Sequence, residues 1–128
     1  MGVHTGRRGL WDAVTRLTAS DEEVDAEELR DDARSSGCQA VAEAPERSLA
    51  RVRGTLRSVT LQPRVDTPAL EADLFDGSDS VTLIWLGRRR IAGIDCGRRM
   101  VAVGRVAILD GRRVMFNPRY ELLPAGAE

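Results

Sequence analysis

The stretch ALEADLFDGSDSVTLIWLG, residues 69–87, decides the fold. Up to Phe75 it alternates: Leu70, Ala72 and Leu74 share one face, and Glu71, Asp73 and Phe75 share the other. A period of two marks a half-buried strand. DGSD, residues 76–79, is made of turn-forming residues. Val81, Leu83 and Trp85 then alternate with Thr82, Ile84 and Leu86, which predicts a hairpin partner over 80–86.

Strands are also expected on both sides of this hairpin. Upstream, the helical period gives way to a period of two at Leu49, and a long strand is expected over about 50–61. Gly54 lies inside it, where a bulge or sharp bend is expected. PRVDTP, residues 63–68, is a loop stiffened by two prolines. Downstream, GRRRIAGIDCG (87–97) has three glycines and no helical period, so a loop is expected. A fourth strand should cover about 99–109, with Gly104 as a bulge. Asp110-Gly111 signals a hairpin, and a fifth strand over about 112–117 ends at Asn117-Pro118. Five such strands point to a mainly β chain, an OB-fold: a five-stranded, partly open Greek-key barrel whose groove binds oligonucleotides or oligosaccharides.

The N-terminal third is different. Residues 1–8 read as a disordered tail. Leu10, Trp11, Val14 and Leu17 recur at helical spacing, so a short helix is expected over 9–18. Ser20 and Glu23 form a capping box that opens a second helix, DEEVDAEELRDDARSSG, stopped by Gly37. Its apolar stripe, Val24, Leu29 and Ala33, is thin, so docking must supply much of its stability. The predicted organisation is a tail (1–8), an acidic helical extension (9–48), the barrel (49–123) and a tail (124–128), with two short α-helices preceding the barrel.

All 19 basic residues are arginine. Residues 1–48 carry 6 Arg against 11 acids, and residues 49–128 carry 13 against 9. A basic barrel suits a polyanion, and it equally suits attraction between barrel and acidic helices. There is no apolar run of membrane-spanning length and no signal-peptide core, so a cytoplasmic location is expected. Cys38 and Cys96 are expected as free thiols. The one histidine, His4, leaves no credible zinc set and no Ser/His/acid or Cys/His constellation. Phosphate-cradling glycine motifs are lacking as well. No enzyme activity, metal or cofactor is expected.

GTLRSVTLQPR (54–64), LEADLFDG (70–77), VTLIWLGRRRIAGI (81–94), VGRV (103–106) and NPRYEL (117–122) carry a family resemblance. The strands are similar to OB-folds attached to branch-migrating helicases and class II aminoacyl-tRNA synthetases. More closely, most of the chain resembles small actinobacterial proteins described as OB-fold nucleic acid-binding domain proteins. The resemblance implies an OB barrel that binds nucleic acid.

Candidate contacts follow from chemistry and position. Arg88, Arg89 and Arg90 are the densest basic run, either a phosphate clamp beside the groove or a solvated loop tip. Arg98, Arg99, Arg112 and Arg113 flank the fourth and fifth strands, and Arg57 and Arg64 lie on the first strand and its loop. Phe75 is the stacking candidate, sharing its face with Thr82 and Ile84. Trp85 has core parity, while Phe116 and Tyr120 fit either barrel closure or groove. Glu71 and Asp73 on the outer face would repel phosphates. The leading expectation is single-stranded DNA or RNA binding with little sequence specificity. The alternative is a non-catalytic protein–protein interaction module of a repair, replication or translation complex. In a third arrangement the acidic helices inhibit the groove.

Overall fold

A computed structural model describes residues 22–63 and 67–124. The first expected helix, the start of the second and both expected tails except Pro124 lie outside that range. Among the described residues there is one α-helix, α1, over 22–35. Its end is a Schellman motif: Gly37 takes a φ of 77°, the Cys38 amide donates to the Ala33 carbonyl, and the Gly37 amide to that of Arg34. A single 3-10 turn follows at Val41–Glu43.

The strands are β1 Leu49–Gln62, β2 Ala69–Phe75, β3 Ser80–Leu86, β4 Arg99–Arg105, β5 Ala107–Leu109, β6 Arg112–Phe116 and β7 Arg119–Leu122. They form one seven-stranded open sheet in the order β5-β6-β3-β2-β1-β4-β7. The five-stranded barrel expected from sequence is corrected on two counts. The fourth strand is interrupted at Val106, whose amide and carbonyl bond to Ser48 and Arg47 instead of continuing the ladder. Past Asn117, at a φ of 51°, the chain reverses and adds β7 beside β4. The hydrogen-bonded order therefore has two edges, β5 and β7. The chain still bends it back on itself, because β4 beside β1 runs through Val106 into β5 beside β6.

β1 has two partners. Leu49–Thr55 pair with β4 and Thr55–Gln62 with β2. The exchange occurs at Thr55, next to Gly54, where a Cβ would collide with the Phe75 carbonyl. Glycine is needed there for close backbone approach, and the bulge lies three residues on. Leu56 pairs with Leu74 and Ser58 with Asp73, leaving Arg57 as the extra residue. Gly104 sits in regular register opposite Ala50 and is no bulge; it lies against Met115 and Pro118. Asp110 and Gly111, both at positive φ, make the expected two-residue hairpin.

The core lies inside the bend, where Leu56, Leu74, Leu83, Met100 and Met115 are fully buried. Trp85 is buried with them, as its parity required, and its indole N–H donates to the Pro118 carbonyl at 3.2 Å. The 87–97 loop has no helix, and its Ile91 and Ile94 are buried in the core.

Asp76 ties the hairpin to the N-terminal segment. Its buried carboxylate accepts from the amides of Val41 (2.7 Å), Ser78 (2.9 Å) and Asp79 (3.1 Å) and from the Ser78 hydroxyl (2.7 Å). Hydrogen bonds to a buried charged group contribute about 1.5–3 kcal/mol each when broken singly. Asp76→Ala is expected to lower unfolding free energy by about 2–4 kcal/mol in urea titrations. A loss below about 0.5 kcal/mol, the range of ordinary surface substitutions, would remove Asp76 from this role. Gly54→Val should destabilise by about 1–3 kcal/mol through the forced separation of β1 and β2, read in the same titration.

Candidate nucleic-acid interface

The outer face of β1, β2, β3 and β6 presents side chains in rows set by register. Thr60, Glu71, Ile84 and Phe116 form one row. Ser58, Asp73, Thr82 and Val114 form the next, with Thr82 and Val114 buried. Phe75 lies one row further, paired with Thr55 and Ser80.

Arg57 is at the Ser80 end of this face. The bulge aims its guanidinium over the half-buried Phe75 ring, 3.6 Å from the centroid, a cation–π contact. Glu22, Glu23 and Ala26 of α1 line the same hollow. Arg112, exposed on the β5–β6 hairpin, lines a neighbouring hollow with Asp73, Asp79, Ser80 and Thr82.

Arg88, Arg89 and Arg90 are at the opposite end and exposed. Their loop is anchored by the Gly87 amide on the Pro68 carbonyl (2.7 Å) and the Leu86 amide on Asn117 Oδ1 (3.0 Å). None of the three forms a hydrogen bond or ion pair among the described residues. The seven residues of β3 separate the two basic ends by about 20 Å.

Other sequence candidates have intramolecular partners. Arg113 donates to the carbonyls of Ala44 (3.1 Å) and Ala42 (2.9 Å) and pairs with Asp79 at 3.4 Å. Arg98 Nε donates to the Leu123 carbonyl, and Arg99 pairs with Asp32. The Thr82 hydroxyl is buried and donates to Asp73 Oδ1 at 2.9 Å, while Ser58 donates to Oδ2 at 3.0 Å. Two hydroxyls thus partly satisfy the carboxylate that threatened to repel phosphate. Ile84 is half-buried on the outer face. Arg64 lies outside the described residues.

The sequence leaves Phe116 to either barrel closure or groove, and the structure exposes it at 46% beside Ile84. The signal was its alternation with Met115, which is fully buried. Tyr120 instead packs edge-on against Trp85, centroids 5.7 Å apart. Arg53, on β1, was missed; its Nε donates to Asp32 at 2.7 Å. Among the described residues no group of three or more His, Cys, Asp or Glu could hold a metal ion, and no helix is long and apolar enough to cross a membrane.

No protein-family model matches the chain, and comparison with curated proteins yields no match. A chain in the solved structure of RecG bound to a three-way DNA junction is similar, with a TM-score of 0.56 and 18% identity over 70% of this chain. This chain spans 13% of that one. The likeness at such low identity speaks for the fold.

The Arg57–Phe75 contact is exposed on one side, and such contacts contribute about 0.5–1 kcal/mol. Arg57→Ala should therefore cost about 1 kcal/mol or less in urea. A loss above about 2 kcal/mol would make Arg57 a structural strut, beyond what an exposed cation–π pair supplies.

Proposed function

We propose that this chain is an OB-type module, acting in the cytoplasm, that binds single-stranded DNA or RNA with little sequence specificity. The observation that carries the reading is the exposed Phe116 beside the half-buried Ile84, in a row that leads towards three arginines with no hydrogen bond or ion pair among the described residues. Arg88, Arg89 and Arg90 would take phosphates at one end, and Arg57 and Arg112 at the other. The intervening span of about 20 Å suits the short oligonucleotide that one OB-type groove engages, upward of about four nucleotides. Phe116 would stack a base, as would the free side of Phe75. Stacking is sequence-tolerant because every base has a π-face. The similarity to a segment of a chain in the RecG structure bound to a DNA junction agrees with this reading. The role is binding, without catalysis.

A second reading has its own support. Glu71 lies between the two basic ends, and the arginines do not converge on one spot. Such a surface also suits a protein partner within a repair, replication or translation complex.

Fluorescence anisotropy with labelled oligo-dT and oligo-U at several salt concentrations separates the two. Neutralising three or four phosphates predicts a log–log salt slope of about −2 to −3. Arg88→Ala, Arg89→Ala and Arg90→Ala together should weaken binding at least about tenfold, and Phe116→Ala should cost about 1–3 kcal/mol of binding energy. Absent binding at low salt, or a slope near zero, would leave the protein-partner reading.

A further inference from the structure

We infer that α1 and a nucleic-acid backbone compete for one arginine stripe on β1 and β4, so that the acidic helix is a displaceable cover; this rests on the nucleic-acid reading above. β1 carries Arg51 and Arg53 at alternate positions and Arg57 at the bulge. Register sets Arg99 of β4 opposite Thr55, and Arg119 of β7 across Val103 from Arg51. The stripe continues the Arg57 end of the outer face along the first strand.

α1 lies on the Arg53, Arg99 and Arg57 part of this stripe with matching charge. Residues 22–35 hold seven carboxylates and two arginines. Asp32 is received by two guanidinium groups at once, Arg53 Nε at 2.7 Å and Arg99 Nη2 at 3.4 Å, all partly open to water. An oxyanion shared by guanidinium groups is the arrangement that also binds a phosphate, and a phosphate diester offers the same charge. Glu22 and Glu23 border the Arg57–Phe75 hollow, so the cover reaches the stacking candidate.

Among the described residues, little apolar surface holds the helix down. Of the stripe expected from sequence, Ala33 is buried, Leu29 is half-buried and Val24 is 50% exposed. Among the described residues the other anchors lie at the Gly77 turn, where Arg30 donates to the Gly77 carbonyl at 2.7 Å and the Ala26 carbonyl packs closely against Gly77. Contacts of this kind weaken when a competing polyanion arrives, whereas a packed apolar face would not yield.

The test is anisotropy with labelled oligo-dT on full-length variants, with hydrogen exchange of the α1 amides in free and bound wild type. Asp32→Asn should bind about two- to tenfold tighter than wild type, the range set by two partly exposed ion pairs. Asp31→Asn makes the same change in net charge, but its carboxylate meets only the exposed Arg34 at 3.6 Å. It should shift binding by less than about twofold. Asp32→Glu, which keeps the carboxylate, should behave as wild type. Exchange in α1 should rise when oligo-dT binds, a readout that needs no variant to fold. If Asp32→Asn and Asp31→Asn bind alike and α1 keeps its protection, the cover is overturned while the nucleic-acid reading stands. If wild type and every variant fail to bind at low salt, both fall.

Discussion

The buried carboxylate of Asp76 is the constraint on which the N-terminal architecture depends. Withdrawn from water, an ionised carboxylate must be met by donors, and here four converge on it. Three come from the β2–β3 turn and fix its shape. The fourth, the Val41 amide, comes from 35 residues away and docks the 3-10 turn on the hairpin. Ser78 then accepts from the Ala42 amide, and Arg113 clamps the Ala42 and Ala44 carbonyls from the β5–β6 hairpin. α1 grips the same turn through Gly77. Turn, connector, helix and second hairpin thus share one anchor.

Much of the sheet was legible because period-two alternation is a local signal. The bounds of β2 and β3, the inward parity of Trp85, the Asp110-Gly111 turn and the Gly37 helix stop all follow from residues close in sequence. What escaped depends on partners far away. β7 exists because β4 has a free edge when the chain turns at Asn117, and nothing in RYEL announces that edge. The break at Val106 comes from bonds to Arg47 and Ser48, some 60 residues upstream. The bulge fell at Arg57 because Gly54 was needed for a close approach, a demand visible only once Phe75 is in position. The same limit governed the candidate site. Arginines look equivalent in a sequence, yet Arg98, Arg99 and Arg113 have partners on other elements while Arg88, Arg89 and Arg90 have none among the described residues.

The distribution of charge follows from this division. Several arginines cross from one element to another: Arg53 and Arg99 to α1, Arg113 to the connector, Arg105 to the Arg47 carbonyl at 2.7 Å. Among the described residues, Arg88, Arg89 and Arg90 have no such partner and sit together on one loop. A guanidinium has five donors in a fixed fork, so it can satisfy several backbone carbonyls and bridge elements that share little apolar surface. In a chain with no lysine, arginine serves both as internal fastener and as the surface cation.

The division of β1 between two partners also shapes the chain's birth. Its second half can pair with β2 as soon as the next dozen residues are present. Its first half must wait for residues 99–105, about 40 residues later, which at about 5–20 residues per second is several seconds of synthesis. Through that interval one side of Leu49–Thr55 is an unfilled edge, the kind that recruits strands from neighbouring chains. Arg51 and Arg53 stand on that edge, and their charge discourages such pairing until β4 arrives.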